Sequence, residues 1–243
     1  MKMIYNFFTS ILFLLSAVNS PVTITTNTKT VSETKAAPLV AEATTVATAS
    51  GVYSQLDANS LSLPDYESFE RAFEGYVLLK EQGKIKKDLL TLVDFSKSSN
   101  TKRLWIIDMS TKTVLYNTLV AHGRNSGNEF ATAFSNAANS NKSSLGFYAT
   151  GEVYIGKHGT SLRLDGLEKG INSNARSRAV VIHGADYVSE GFIKQHKRLG
   201  RSLGCPALPN RISKEVIDLI KGKSCLFIYH PSKNYVSTSK LVS

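Results

Sequence analysis

The stretch "GRSLGCPALP", residues 200–209, contains the residue on which the interpretation of this sequence depends. Cys205 lies there between Gly204 and Pro206, directly after a run of basic residues, and the chain has one other cysteine, Cys225. A cysteine in such a loop can be half of a disulfide, a metal ligand, a small buried apolar residue or a nucleophile. The surrounding sequence decides between these roles.

A second stretch, "VVIHGADY" at residues 180–187, favours the nucleophile. Its first three residues are typical of a buried strand, so we predict that His183 lies where the strand ends and faces a cleft. A cysteine attacks as its thiolate, and a neighbouring imidazole or cation lowers the pKa of a thiol from about 8.5. We therefore predict that His183 is the base for Cys205. The cations expected to add positive potential are Lys197, Arg198 and Arg201.

The backbone around Cys205 also suits an acyl-transfer site. Gly204 allows another segment to approach closely, and Pro206 favours an extended conformation at Cys205. Proline has no N–H group, so the candidate donors to an oxyanion are the N–H groups of Gly204 and Cys205.

Two other roles for Cys205 stay open at this point. In an exported protein it can pair with Cys225, although "SCLFIYH" at residues 224–230 is typical of a buried strand. A zinc site is the other alternative, but no pair shows a close ligand spacing such as CxxC or HxxxH, and we predict no metal and no cofactor. The residues available for zinc would be His122, His158, His183 and Cys205.

The two ends of the chain and its charge indicate where the protein works. Residues 1–20 combine Lys2 with an apolar core, which is typical of a signal peptide and predicts export to the periplasm or cell envelope, with no stable membrane span after cleavage. The net charge of +10 favours an anionic partner: nucleic acid, anionic lipid or a polymer that carries carboxylates. Composition further predicts a flexible linker over residues 21–54, a domain over 55–232 and a polar tail over 233–243.

Hydrophobic periodicity predicts a mainly β fold with a few short helices and a helical N-terminal portion. A helix is predicted from Pro64-Asp65 to near Gly83, with an apolar face made of Phe69, Phe73, Tyr76 and Val77. A later helix is predicted to be capped by Ser213 and closed by Gly222. The predicted strands are 104–108 and 113–121, which form a hairpin around "MSTKT", then 146–155, 161–165, 179–183 and 225–229.

The pairing of "IHG" (182–184) with "RSLGCPALP" (201–209) resembles the murein L,D-transpeptidases of YkuD-like fold, and more specifically the murein L,D-transpeptidase catalytic domain family. The resemblance extends over residues 100–230 and includes "HGRNSG" (122–127) and "ARSRAVVIHGADYVS" (175–189). It implies a β-rich catalytic fold that acts on the tetrapeptide stem of peptidoglycan, releases the terminal D-Ala and joins two stems. Papain-like peptidases, by contrast, place Cys before His.

The resemblance also implies roles for individual residues. Cys205 matches the nucleophile and His183 the general base, while the carbonyl group of Gly184 matches the group that orients the histidine. Ser202 and Gly204 match their places in the broader Ser/Thr-His-Gly-Cys motif, and Ser202 becomes a candidate for substrate binding.

The chain departs from that motif at two places. Leu203 stands where the second histidine usually is, and no arginine directly follows the cysteine. Binding of a substrate carboxylate is therefore expected from Arg201 or Arg211, and His158 in "GKHG" is a further candidate to line the cleft.

These observations predict a cysteine-dependent acyltransferase whose partner is the peptidoglycan stem peptide rather than nucleic acid. Whether an amine or water accepts the acyl group would distinguish a transpeptidase from an L,D-carboxypeptidase. A non-enzymatic wall-binding module is the remaining alternative, and it would be expected to show repeats or exposed aromatic clusters.

Overall fold

A computed structural model describes residues 47–242. The predicted signal peptide, 1–20, and the larger part of the predicted linker lie outside the described residues. The helices are α1 Ala49–Tyr53, α2 Tyr66–Glu81, α3 Glu190–His196, α4 Asn210–Ile220 and α5 Lys233–Thr238. The strands are β1 Leu89–Asp94, β2 Leu104–Asp108, β3 Thr113–Thr118, β4 Gly146–Gly156, β5 Gly159–Gly166, β6 Val181–Ala185, β7 Ala207–Pro209 and β8 Cys225–Tyr229.

All eight strands form one sheet in the order β3-β2-β1-β8-β4-β5-β6-β7. The pairs β1·β8 and β6·β7 are parallel, and the other neighbours are antiparallel. Beyond β3, Ala121 bridges to Ala207 in β7, and Gly123 bridges to Ser202. The two edges of the sheet are thereby connected, as in a barrel, and the loop that carries Cys205 lies at this junction. The structure therefore confirms the predicted mainly β fold.

Helix α2 covers one face of the sheet, where it packs against β1 and β8. Phe69, Phe73 and Tyr76 are buried as predicted, whereas Val77 is only half-buried. Gly75 is required on this face, because a Cβ atom there would lie 2.1 Å from the ring of Phe147 in β4. The close approach brings the helix onto the centre of the sheet.

The linker prediction is contradicted for residues 47–54, which contain α1. Thr48 caps the helix, with its side chain accepting from the N–H of Gly51 at 3.2 Å. Val52 is buried, and the hydroxyl group of Tyr53 donates to the carbonyl oxygen of Pro64 at 2.7 Å. The segment is ordered because Val52 and Tyr53 pack against the domain. The Thr/Ala-rich composition of the segment does not reveal these contacts.

The C-terminal segment is likewise not the polar tail predicted over 233–243. It contains α5, in which Tyr235 is 4% exposed and donates its hydroxyl group to Glu168 Oε2 at 3.2 Å. Ser239 donates to Glu168 Oε1 at 2.5 Å. One buried aromatic ring and one buried carboxylate therefore hold a segment whose average composition is polar.

Two further boundaries differ from the sequence prediction. Ser213 lies inside α4 and donates to the carbonyl oxygen of Asn210 at 3.1 Å, because the helix begins directly after Pro209. Strand β6 begins at Val181 and continues to Ala185, because its parallel partner β7 pairs with its C-terminal half. His183 is therefore in the middle of β6, where the prediction placed it at the strand end.

No helix between residues 47 and 242 is both long and apolar enough to cross a membrane.

Candidate active site

The parallel pair β6·β7 brings Cys205 and His183 to one side of the sheet. His183 lies opposite Ala207, so Cys205, two residues earlier, enters the pair beside Val181. The Sγ atom accepts from the N–H of Val181 at 3.4 Å and lies 3.7 Å from the carbonyl oxygen of Ala179. Among the described residues these backbone groups, not the ring of His183, are the hydrogen-bond partners of Sγ. A direct thiol–imidazole contact therefore requires a rearrangement, such as active sites commonly undergo when substrate binds.

The surroundings of Cys205 favour the neutral thiol in the free protein. Burial raises the pKa of Cys205, and the Val181 N–H together with the positive charges of Arg178 and Lys157 offset that rise in part. The thiol consequently needs a base to remove its proton. Both cysteines are free, and Cys225 is fully buried in β8, so the disulfide alternative is wrong.

His183 is the residue predicted to be that base. It is 3% exposed, and its Nδ1 atom lies 2.8 Å from the carbonyl oxygen of Gly184. This contact assigns the proton to Nδ1 and leaves a lone pair on Nε2. Burial lowers the pKa of His183, the Gly184 carbonyl opposes that, and His158 and Lys157 lower the pKa further. The ring is neutral near neutral pH and able to accept a proton.

His158 lies at the turn of the β4–β5 hairpin, where Gly156 pairs with Gly159. Its ring stacks on the ring of His183, with 4.4 Å between centroids and 18° between planes. The exposed turn thus reaches over the buried histidine, although the two residues are distant in sequence. The stack restricts the orientation of His183.

The loop before Cys205 is supported from inside by Ser202. The Ser202 hydroxyl group donates to the carbonyl oxygen of Cys205 at 2.7 Å and accepts from the N–H of Gly204 at 3.0 Å. Ser202 is 5% exposed, so the structure places this predicted substrate-binding residue beneath the loop instead of in the cleft. The Gly204 N–H is engaged by this contact as well. The Cys205 N–H therefore remains the candidate donor to an oxyanion.

Gly204 fits a position that no other residue can occupy without strain. Its φ is +130°, and a Cβ atom there would lie 2.9 Å from the carbonyl oxygen of Lys142. Ser143 donates to the carbonyl oxygen of Gly204 at 3.1 Å. The segment around residues 142–143 therefore packs against the loop that carries Cys205, a contact that sequence spacing does not reveal.

Comparison with known proteins decides the family. A family model described as "L,D-transpeptidase catalytic domain" matches residues 61–229. The chain belongs to this family.

The solved structures that the chain matches include L,D-transpeptidases. The enzyme from Mycobacterium smegmatis is 12% identical, with a TM-score of 0.37 and 59% of each chain covered. LdtMt1 in complex with imipenem is 12% identical, with a TM-score of 0.37 and coverage of 58% of this chain and 59% of that one. The L,D-transpeptidase from Xylanimonas cellulosilytica is 13% identical, with a TM-score of 0.34 and coverage of 74% and 78%. A search of curated proteins finds no match.

Within this L,D-transpeptidase domain, the two arginines predicted to bind a substrate carboxylate have contacts other than Cys205. Arg201 donates from Nη1 to the carbonyl oxygens of Arg124 and Gly127, at 3.3 and 3.0 Å. Arg211 is exposed on the first turn of α4 and lines a cavity of about 550 Å³ whose lining includes neither Cys205 nor His183. Arg201 supports a neighbouring loop, and Arg211 faces a different part of the surface.

The cations that do act on Cys205 are Arg178 and Lys157, neither of which the sequence singled out. Arg178 directly precedes Ala179, the residue whose carbonyl group contacts Sγ. The sequence feature that could have identified Arg178 is its position just before the strand of His183, inside a segment that carries the family resemblance.

Of the histidines considered as zinc ligands, His158 and His183 stack on each other, whereas His122 contacts Arg103. His122 is 1% exposed, and its Nδ1 atom lies 2.8 Å from Nη2 of the fully buried Arg103. Burial, assisted by the charge of Arg103, lowers the pKa of His122 to about 4. In the part of the chain that the structure describes, no group of three His, Cys, Asp or Glu residues could hold a metal ion.

Proposed function

We propose that this protein is a cysteine-dependent L,D-transpeptidase that acts on the tetrapeptide stems of peptidoglycan. Membership of the L,D-transpeptidase family supports the general activity. The single observation that carries the chemistry is the arrangement on β6·β7, where Cys205 lies beside Val181 and His183 is oriented by the Gly184 carbonyl. A thiol beside Val181 and an oriented, neutral imidazole two residues further along β6 supply the two groups that nucleophilic acyl transfer requires.

The first half of the reaction would acylate the protein. Nε2 of His183 takes the proton of Cys205, and Sγ attacks the carbonyl carbon between the third and fourth stem residues. The oxyanion forms near the N–H of Cys205. When the C–N bond breaks, the imidazolium returns its proton to the departing amine, so D-Ala leaves and a thioester remains on Sγ.

The second half would release the acyl group. An amine of a second stem loses a proton to His183 and attacks the thioester, and the thiolate leaves and regains that proton. The product is a cross-link between two stems. If water attacks in place of the amine, the same steps give an L,D-carboxypeptidase.

Export to the periplasm or cell envelope is part of this proposal, because peptidoglycan lies outside the cytoplasm. Support comes from the apolar stretch in residues 1–20 and from the net charge of +10, which suits a polymer that carries carboxylates. Cell fractionation and N-terminal sequencing of the mature protein test it, and an intact N-terminus on cytoplasmic protein would contradict it.

The activity is tested by incubating the purified protein with a disaccharide-tetrapeptide and reading the products by mass spectrometry. We expect loss of D-Ala and formation of a dimer with wild type and with the control Cys225→Ala, and no product with Cys205→Ala. Release of D-Ala without a dimer would assign the carboxypeptidase. No product together with binding to isolated cell walls would favour the non-enzymatic module, and equal turnover by Cys205→Ala would contradict the cysteine chemistry.

A further inference from the structure

Arg178 lies against the nucleophile loop, and the reaction steps above do not use it. Its Nη2 atom is 3.4 Å from the position that a Cβ atom would take on Gly204, the residue before Cys205. The next residue in the chain, Ala179, places its carbonyl oxygen 3.7 Å from Sγ. The guanidinium group therefore contacts Gly204 while the thiol contacts Ala179, so the two groups are one residue apart along both segments.

Four hydrogen bonds hold the guanidinium group in place, and every acceptor is uncharged. Nη1 donates to the Ser135 carbonyl oxygen at 2.8 Å and to Ser144 Oγ at 2.6 Å. Nη2 donates to Ser140 Oγ at 3.2 Å and to the Lys142 carbonyl oxygen at 2.6 Å. Since none of these acceptors is a carboxylate, the hydrogen bonds orient the positive charge without neutralising it.

Arg176, two residues earlier, shows the contrasting arrangement. It forms ion pairs with Glu152 at 2.8 Å and with Asp165 at 2.5 Å, on the exposed surface. The two arginines are close in sequence and carry the same charge. Of these two charges, only the charge of Arg178 lies beside Cys205 without a carboxylate partner.

We propose that Arg178 is a positioning residue that supplies a fixed positive charge facing the Cys205 thiolate. A charge that is already oriented stabilises a developing anion without further reorganisation, and it acts more strongly in a partly buried site than in water. The sequence led us to expect this role from Arg201, which instead donates to two backbone carbonyl groups. The proposal builds on Cys205 as the reactive group of the proposed function.

The other titratable or charged groups that face Cys205 come from three elements. Lys157 lies in the exposed turn of the β4–β5 hairpin and acts in the same direction as Arg178, although solvent screens it more. His183 lies on β6 and is neutral near neutral pH. Tyr187 follows β6, and burial together with the charge on Cys205 raises its pKa to about 12, so it stays uncharged. Arg178 is therefore the partly buried cation of this group.

The test measures how fast iodoacetamide alkylates Cys205 as a function of pH, and it needs no substrate. Digestion with trypsin separates Cys205, in peptide 202–211, from Cys225, in peptide 224–233, so each thiol is read by mass. We expect Arg178→Met to move the alkylation midpoint of Cys205 to higher pH by about one unit, which slows alkylation near neutral pH about tenfold. Arg176→Gln removes the same charge and should leave the midpoint where it is in wild type.

Two more variants separate the charge from the support that Arg178 gives to the loop. Arg178→Lys keeps the charge and loses hydrogen bonds, while Ser144→Ala keeps Arg178 and loses one acceptor. We expect both to keep a midpoint close to wild type, and thermal unfolding of each variant monitors its fold.

An unchanged midpoint in folded Arg178→Met would overturn the proposal, as would an equal shift in Arg176→Gln. If Arg178→Met does not fold, Arg178→Lys and Ser144→Ala test the proposal instead. A shifted alkylation midpoint in both of these variants would assign Arg178 to support of the loop alone. Alkylation is independent of turnover. A protein that is inactive on stem peptides but shows the expected shift would refute the proposed function and leave this inference standing.

Discussion

Replacing Ser202 by alanine would distinguish support of the nucleophile loop from substrate binding. The Ser202 hydroxyl group joins the Gly204 N–H to the Cys205 carbonyl oxygen, through contacts of 3.0 and 2.7 Å. Because the side chain is 5% exposed, water cannot readily replace it. In Ser202→Ala one donor and one acceptor of the loop lose their partner together.

The expected loss of stability follows from these two contacts. Each hydrogen bond contributes about 1 kcal/mol net, and a buried polar group left without a partner costs about 1–3 kcal/mol. The free energy of unfolding should therefore fall by about 2–4 kcal/mol, which is less than the total stability of a typical domain. With a slope of about 2 kcal/mol per molar urea, the unfolding midpoint should decrease by about 1–2 M.

Turnover should decrease through kcat, because Cys205 loses the contact that holds its backbone. A displacement of about 1 Å in a reacting group can cost about a hundredfold in rate. The assay combines urea unfolding with steady-state kinetics on the disaccharide-tetrapeptide. Ser177→Ala is the matched control, since that exposed hydroxyl group makes one contact, 3.0 Å to the Asn174 carbonyl oxygen. It should change neither quantity appreciably.

A substrate-binding role for Ser202 makes the opposite prediction. KM would then rise while kcat and the urea midpoint stayed at their wild-type values. That result would refute the assignment of Ser202 to the interior of the loop, and a midpoint equal to that of Ser177→Ala would do the same.

Three other outcomes are expected. Cys225→Ala should lower the free energy of unfolding by about 1–2 kcal/mol, as for a small buried side chain, without affecting activity; equal loss of activity in Cys225→Ala and Cys205→Ala would contradict separate roles. A carbapenem should form one adduct, found by mass spectrometry on tryptic peptide 202–211, and an unmodified protein after prolonged exposure would count against a reactive thiol. Because His158 lowers the pKa of His183, the substitution His158→Ala should raise the pKa of His183. The acid limb of the kcat/KM profile should then move to higher pH, and the rate just below neutral pH should fall. An acid limb that does not move would show that the stack does not influence the base.

Local patterns were sufficient to predict most of the sheet. The first hairpin strand and the last strand, 225–229, have the predicted bounds, because alternating or continuous apolar runs next to turn residues specify strands locally. The second hairpin strand begins where predicted but ends at Thr118 instead of residue 121. Strand β1 was missed, although all six of its residues are buried at the centre of the sheet. A short apolar run such as "LLTLVD" is equally compatible with a strand or a buried helix, and only its pairing with β2 and β8 decides between them.

The ends of the domain show the limit of composition. Residues 47–54 and 233–242 have polar or small-residue sequences, which predict extended, unpacked chain. Tyr53 and Tyr235 nevertheless anchor α1 and α5 through hydroxyl contacts to Pro64 and Glu168 and through burial against the domain. A single well-placed aromatic residue outweighs the average of its neighbours, and the acceptor that it finds is distant in sequence.

The sequence by itself determined the chemistry that is available: Cys205 in a Gly-Cys-Pro loop, His183 in a buried strand, and the carbonyl group of Gly184 beside it. These features are local, since each depends on a residue type and its immediate neighbours in the sequence. The tertiary structure alone decided which groups surround the thiol. Arg178 and His158 reach the site because strand pairing and hairpin closure bring distant segments together, whereas Arg201, four residues from Cys205, is directed to other backbone carbonyl groups. Proximity along the chain does not specify the direction of a side chain, and the electrostatics of the thiol depend on that direction.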